Sequence, residues 1–198
     1  MAMNRAVFFD KDGTLVPDIP YNCDPVLMQL SEGAGEALRA LDQAGYLLVV
    51  VSNQSGVAQG VFPESALNGM WSRLQELCFS EEVRLESLYY CPHHPSAKIA
   101  EYRGRCACRK PASGLLRQAA ADLSISLEDS WMVGDILNDV QAGRTCGTRT
   151  IFLDIGNETE WHLTPKRMPH HVVNNLSEAA AVILAVDSVH SRKLEVTV

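Results

Sequence analysis

The sequence has no apolar run near the roughly 20 residues that a membrane-spanning helix needs, so no membrane partner is expected. It also lacks an excess of positive charge: 17 Lys and Arg stand against 24 Asp and Glu, for a formal net charge of −7. A general nucleic-acid surface requires a basic face, and none is expected here. The same deficit means that an anionic substrate must meet locally concentrated positive charge, from a metal ion or a few well-placed basic residues. No repeat and no low-complexity linker divides the chain. Met-Ala-Met-Asn-Arg runs at once into an apolar strand, without a secretory hydrophobic region, so a cytoplasmic protein is expected. In that compartment its six Cys are not expected to build a disulfide framework. Cys23, Cys78 and Cys146 are scattered and read as inert, whereas Cys91, Cys106 and Cys108 fall in one loop.

What is present suits a cored soluble domain: 198 residues, 46% hydrophobic and 21% charged. Strands are predicted at 5–9, 46–51, 85–90, 131–133, 150–153 and 171–173. Helices are predicted over 31–45, 63–77, 113–123, 137–144 and 176–185, with Trp71 and Met70 among the core residues of the second. Residues 16–31 form a Pro-punctuated excursion, 91–112 a Cys/His loop, and 155–169 an irregular stretch. Strands that alternate with helices make a parallel, helix-covered sheet. The expected fold is therefore α/β, a single Rossmann-like domain over 1–186 with helices on both faces and no large cap domain. Residues 187–198 are expected to form a frayed tail, and the working unit is expected to be a monomer.

The chain is organised around Val7-Phe8-Phe9-Asp10-Lys11-Asp12-Gly13-Thr14-Leu15. An apolar run that stops on two carboxylates reads as a buried parallel strand whose carboxyl end opens into a site, the end where ligands bind in such sheets. Asp10 and Asp12 can face one metal ion, or divide into a nucleophile and a proton donor. The excursion starts beside them, so its early part, Asp18 included, is expected to line the site. Two other strands end in polar groups that can meet at the same edge. The second reaches Ser52-Asn53-Gln54-Ser55-Gly56, and the fourth reaches Gly134-Asp135, with Asp139 one helical turn on. Arg109-Lys110-Pro111 precedes the helix at 113 and supplies positive charge. Each of these alone reads more readily as a turn, a cap or a solvated boundary.

Cys91-Pro-His93-His94-Pro95 is followed by Cys106-Ala-Cys108-Arg109-Lys110. Three thiolates and one imidazole make a closed tetrahedral Zn²⁺ set, which would be structural because it leaves no open position. Spacing alone leaves both His93 and His94 open as the fourth ligand. Free thiols in a mobile loop are the bland alternative, and a Cys106–Cys108 disulfide would close a strained ring. The loop has little apolar content, so a metal would supply its order and aim Arg109 and Lys110.

Taken in chain order, these groups fill a known pattern. Asp-x-Asp-Gly-Thr at 10–14, Ser52, Lys110, and Gly134-Asp135 with Asp139 resemble the four motifs of the haloacid dehalogenase (HAD) superfamily of aspartyl-phosphate phosphatases. The resemblance implies that Asp10 attacks phosphorus and that Asp12 is acid, then base. Lys110 and Ser52 would hold the phosphoryl oxygens, and Mg²⁺ would offset the negative charge. Asp10, Asp135 and the backbone carbonyl of Asp12 can supply its protein ligands. Asp139 would support Lys110 or the metal; as an acid in the first turn of a helix it has a second reading.

With Tyr89-Tyr-Cys-Pro-His-His-Pro95 and Cys106-Ala-Cys-Arg-Lys-Pro111 added, the chain resembles the D-glycero-D-manno-heptose-1,7-bisphosphate 7-phosphatases and the related histidinol-phosphate phosphatases over residues 5–185. This implies zinc on Cys91, His93, Cys106 and Cys108, and Mg²⁺ on Asp10, Asp12 and Asp135. Substrate contacts are expected from Asp18, Ser52, Asn53, Gln54, Ser55, Arg109 and Lys110. The long spacing from His93 to Cys106 favours the heptose branch, hence a small phosphorylated substrate, a sugar bisphosphate. Three positions depart from that family's pattern: Ile136 where Lys is frequent, Ser52 for Thr, and Pro20-Tyr21 for Gly-Tyr. A phosphatase of the same mechanism acting on histidinol phosphate or another small phosphomonoester, and a catalytically idle zinc-stabilised binding domain, are the competing readings.

Overall fold

Ala6–Phe9, all four buried, form the central strand β1 of a six-stranded sheet. The computed structural model describes residues 3–195. The other strands are β2 (Leu47–Asn53), β3 (Ser87–Cys91), β4 (Trp131–Gly134), β5 (Arg149–Leu153) and β6 (His171–Val173). They lie in the order β3-β2-β1-β4-β5-β6, and every pairing is parallel. The chain first builds outward from β1 to β3, then returns to place β4 on the other flank of β1. Such a reversal opens a crevice at the carboxyl ends of the two strands, where ligands bind in open α/β sheets.

Strand alternation sorts the helices onto two faces. Val7 and Phe9 point to a core shared with α1 (Ala34–Gln43), α3 (Ala66–Ser80) and α6 (Leu176–Glu195). Ala6 and Phe8 point the other way, to a core shared with α4 (Gly114–Asp122) and with Ala142 of α5 (Leu137–Cys146). Leu38 and Leu41 of α1 and Met70 and Leu74 of α3 have at most 1% exposure, which is the helical-period pattern read from the sequence, and Leu115 and Leu116 of α4 are buried as well. Three longer connections, 10–33, 92–113 and 154–170, leave from the carboxyl edge after β1, β3 and β5. No helix among the described residues is long and apolar enough to cross a membrane.

The structure corrects several boundaries. β2 runs two residues beyond the expected end because Ser52 and Asn53 pair with Tyr90 and Cys91 of β3. β3 starts at Ser87 rather than at 85. A four-residue helix, α2 (Ser55–Ala58), follows β2 and is too short to show a hydrophobic period. The excursion carries a 3-10 turn at Pro25–Leu27, capped by the Asp24 side chain, which accepts from Val26 N at 2.9 Å. The largest correction concerns the expected tail from 187, which is helical as far as Glu195; residues 196–198 lie outside the described residues. Asp187 ties the segment past 186 to the sheet, since its carboxylate pairs with Arg5 and accepts from Tyr46 Oη at 2.5 Å.

Candidate active site

β1 and β4 deliver two carboxylates to the crevice. Asp10 N donates to Val133 O at 3.0 Å and so continues the β1–β4 ladder by one step. Gly13, at φ 80°, turns the chain away, and a Cβ there would fall 2.1 Å from Asp135 Oδ2. Only glycine admits that approach. Asp135 is then fixed from two sides, by Thr14 Oγ1 at 3.3 Å and Asn157 Nδ2 at 2.8 Å.

Lys110 supplies the positive charge. It is 2% exposed, and its ammonium pairs with Asp10, with Asp139 Oδ1 at 2.7 Å and with the Val51 carbonyl at 2.8 Å. Its backbone is clamped by the Asn53 amide, which accepts from Lys110 N at 3.0 Å and donates to Lys110 O at 3.1 Å. Asp139 makes contacts of two kinds. One oxygen meets Lys110, and the other accepts from Ile136 N at 3.3 Å, capping α5. A Cβ at Gly134 would come within 2.3 Å of this carboxylate, so glycine at the end of β4 is what lets Asp139 fold back.

Oxygens of Asp10, Asp135 and Asp139 lie within 4.8 Å of one another. Three carboxylates against one ammonium leave an excess of two negative charges in a buried site. Burial and then the Asp10 charge push Asp135 up to about 6, and burial pushes Asp139 up to about 7. Burial opposes the charge on Lys110, but Asp10 and Asp139 outweigh it and raise its pKa above the ordinary value. A hard divalent cation with oxygen ligands fits this donor set and would relieve the excess. Asp10 and Asp135 face the cavity of this site, whereas Asp139 lies behind them and gives its second oxygen to the start of α5.

Asp12 points to the other side of the turn. Its carboxylate accepts from Lys11 Nζ and from Gln54 Nε2 at 3.0 Å, and Gln54 Nε2 also reaches Ser52 Oγ at 2.8 Å. Burial raises the Asp12 pKa although Lys11 opposes it. A cavity of about 180 Å³ collects Asp10, Asp12, Ser52, Lys110 and Asp135, with Asp18, Asn53, Ile136 and Asn157 completing its walls. Gln54 and Ser55 face an adjoining cavity. Arg109 lines neither; its guanidinium donates to the His93 carbonyl at 3.2 Å. Asn157 escaped the sequence reading. The signal for it was its place four residues beyond Leu153, at the carboxyl edge of a strand next to β4.

The Cys/His loop closes on itself. Cys91 Sγ lies 3.5 Å from Cys106 Sγ and 3.1 Å from Cys108 Sγ, and Cys106 and Cys108 are 3.2 Å apart. His93 Nδ1 stands 3.7 Å from Cys91 Sγ and 3.5 Å from Cys108 Sγ. A tetrahedron with Zn–S bonds of about 2.3 Å has S···S edges of about 3.8 Å, so the four donors surround one tetrahedral centre with modest expansion. His94 is turned away, its Nδ1 accepting from Ser96 N at 3.1 Å. The choice that spacing left open therefore falls to His93 on geometry. All six cysteines are free.

Residues 107–179 match the family model described as HAD-hydrolase-like. The D-glycero-beta-D-manno-heptose-1,7-bisphosphate 7-phosphatase of Haemophilus ducreyi is 43% identical over 148 residues, spanning 74% of this chain and 80% of the relative. Its counterpart from Pasteurella multocida is 36% identical over 188 residues, 94% of this chain and 100% of the relative. The chain belongs to this family of HAD phosphatases. As a HAD phosphatase it is an enzyme that hydrolyses phosphate monoesters. Its fold matches the D,D-heptose 1,7-bisphosphate phosphatase of B. bronchiseptica complexed with magnesium and phosphate, at a TM-score of 0.75 and 25% identity over 91% of this chain and 98% of that one.

Proposed function

We propose that this phosphatase removes the 7-phosphate of D-glycero-D-manno-heptose 1,7-bisphosphate through an aspartyl-phosphate on Asp10, with Mg²⁺ at Asp10, Asp135 and the backbone carbonyl of Asp12. The observation that carries the reading is the buried seat in which Asp10, Lys110 and Asp135 converge in a chain 36–43% identical to phosphatases named for that substrate. Mg²⁺ would neutralise charge between the substrate phosphate and the carboxylates.

The side chains do the rest. Asp10 attacks phosphorus, forming the P–O bond to its carboxylate as the bond to the sugar oxygen breaks. Asp12 gives its proton to that departing oxygen. It is left as the carboxylate that then takes a proton from water, which attacks the aspartyl-phosphate and regenerates Asp10. Lys110 and Ser52 hold the phosphoryl oxygens while charge develops. Asp139 keeps Lys110 in place, and Asp18, Asn53, Gln54 and Ser55 face the rest of the substrate. For Arg109 a substrate contact requires its guanidinium to leave the His93 carbonyl.

Zn²⁺ on Cys91, His93, Cys106 and Cys108 would hold the loop that carries Lys110. Free thiols in that set support a reducing compartment, the cytoplasm. One chain supplies every group named, which supports a monomer as the working unit. The test is phosphate release with Mg²⁺ from heptose 1,7-bisphosphate, histidinol phosphate, other sugar phosphates and an aryl phosphate. We expect the heptose ester to be preferred and Asp10→Asn to abolish turnover with the fold intact. Preference for histidinol phosphate would move the substrate but keep the mechanism. Silence on every ester would leave a zinc-stabilised binding domain.

A further inference from the structure

The connection 154–170 brings Asn157 to Asp135, yet little apolar burial holds it there. Ile155, Trp161, Leu163 and Met168 along it are all 46% exposed or more, although the Trp161 ring meets Phe152 edge to face at 5.6 Å. A segment with so few buried apolar contacts opens readily unless polar contacts close it.

Glu158 and Arg167 supply such contacts. Their side chains are only 6% and 12% exposed. The two Glu158 oxygens divide their work: one accepts from Leu137 N at 2.5 Å, the other from Glu160 N at 2.6 Å. The Arg167 guanidinium lies 3.9 Å from the same carboxylate. It also donates to Asn138 Oδ1 at 3.2 Å and to Glu160 O at 3.4 Å. Both residues therefore grip the first turn of α5, where backbone N–H groups lack helical partners and a carboxylate is favoured.

That turn carries the seat. Asp135 stands two residues before Leu137, and Asp139 two after it, where it meets Lys110 at 2.7 Å. Asp135, Ile136 and Asn157 share one cavity wall. Gly156, at φ 89°, makes the bend that lays Asn157 against Asp135, and Glu158 follows at once. Without the grip of Glu158 and Arg167, that bend and a single hydrogen bond would have to keep the Asn157 amide in place.

We propose that Glu158 and Arg167 are positioning residues for the metal seat: they latch the connection after β5 onto α5, keep Asn157 on Asp135, and so set how tightly the seat holds a divalent cation. Neither lines the cavity. The inference rests on the reading that puts Mg²⁺ on Asp10 and Asp135.

The test reads metal binding apart from turnover. Mn²⁺, which like Mg²⁺ favours octahedral oxygen ligands, is titrated into the zinc-bearing protein and the free ion counted by electron paramagnetic resonance. Glu158→Ala and Arg167→Met are each expected to weaken Mn²⁺ about tenfold, the low end for groups that orient a ligand. At saturating Mg²⁺ their kcat on an aryl phosphate should stay near the wild-type value. In an Asn157→Ala background Glu158→Ala should add little, because the route through which it acts is already cut. Full additivity in that cycle, or unchanged Mn²⁺ affinity in both single variants, would overturn the latch. So would a rate loss that saturating Mg²⁺ does not recover. Glu158→Gln keeps one of the two acceptors and, with a smaller shift in the same direction, replaces Glu158→Ala should that variant not fold. Asp135→Asn is the separate control. If the wild type bound Mn²⁺ no better than Asp135→Asn, the metal reading itself would fail, and this inference with it, before any latch variant was compared.

Discussion

Lys110 is a buried ammonium between two buried carboxylates, Asp10 and Asp139. Removing one member of such a set leaves uncompensated charge. Lys110→Ala is therefore expected to lower kcat roughly 10²–10³-fold, the effect of deleting a donor that meets developing negative charge. Steady-state phosphate release checks this, and a change within twofold would mean that the seat is misplaced. Asn157 acts at one remove. Its amide donates to Asp135 at 2.8 Å, so Asn157→Ala should raise the Mg²⁺ concentration for half-maximal activity by about 10-fold or more. Saturating Mg²⁺ should restore most of the rate; a loss that Mg²⁺ cannot rescue would assign Asn157 a different part. These two residues also mark what the sequence could say. Asp10, Asp12, Lys110 and Asp135 were legible because strand ends and motif spacing carry them. Asn157 was not, because its contact depends on the path of the irregular stretch after β5. Arg109 was legible as a cation next to the seat, but not in its direction, which the His93 carbonyl sets.

At the scale of elements, the Cys/His loop and β2 form one mechanical unit. Cys91 ends β3 in register with Asn53 of β2, and Asn53 clamps the Lys110 backbone only two residues beyond Cys108. A metal on the four donors would thus fix Lys110 through both its neighbours. Protein purified without chelator should carry about one Zn per chain. Cys108→Ser should lower zinc content, melting temperature and kcat together while far-UV circular dichroism keeps the signature of the sheet. Full activity at a zinc content near zero would sink the structural-zinc reading. The elements themselves were legible wherever burial repeats along them, as in β1, β4 and α1. Pairing set what periodicity could not: β2 takes in Ser52 and Asn53 only because β3 lies beside it.

The whole molecule is polarised. Catalytic groups occupy the carboxyl edge of the sheet, while the amino edge is closed by residues far apart in sequence. Arg5, just before β1, pairs with Asp187 of α6, donates to the Ala44 carbonyl at 2.6 Å, and lies 4.3 Å over the Tyr46 ring. Tyr46 Oη reaches the same Asp187 carboxylate. No local pattern announces such a junction, so the sequence reading stopped the domain at 186 and left Asp187 in a tail. Cutting this junction should affect stability and spare chemistry. Arg5 is partly exposed, so the ion pair alone is worth little; the tyrosine hydrogen bond to a carboxylate carries more. Asp187→Ala is expected to cost about 1–2 kcal/mol, which lowers the melting temperature by about 2–8 °C in a domain of this size. Ser188→Ala should change little, since that exposed hydroxyl donates only to the Ala185 carbonyl in its own helix. Calorimetry of both variants, with kcat measured well below the transition, separates the two ends of the sheet. An unchanged melting temperature would return Asp187 to the tail. A kcat that fell with the temperature unmoved would mean that α6 reaches the active site by a route other than holding the fold together.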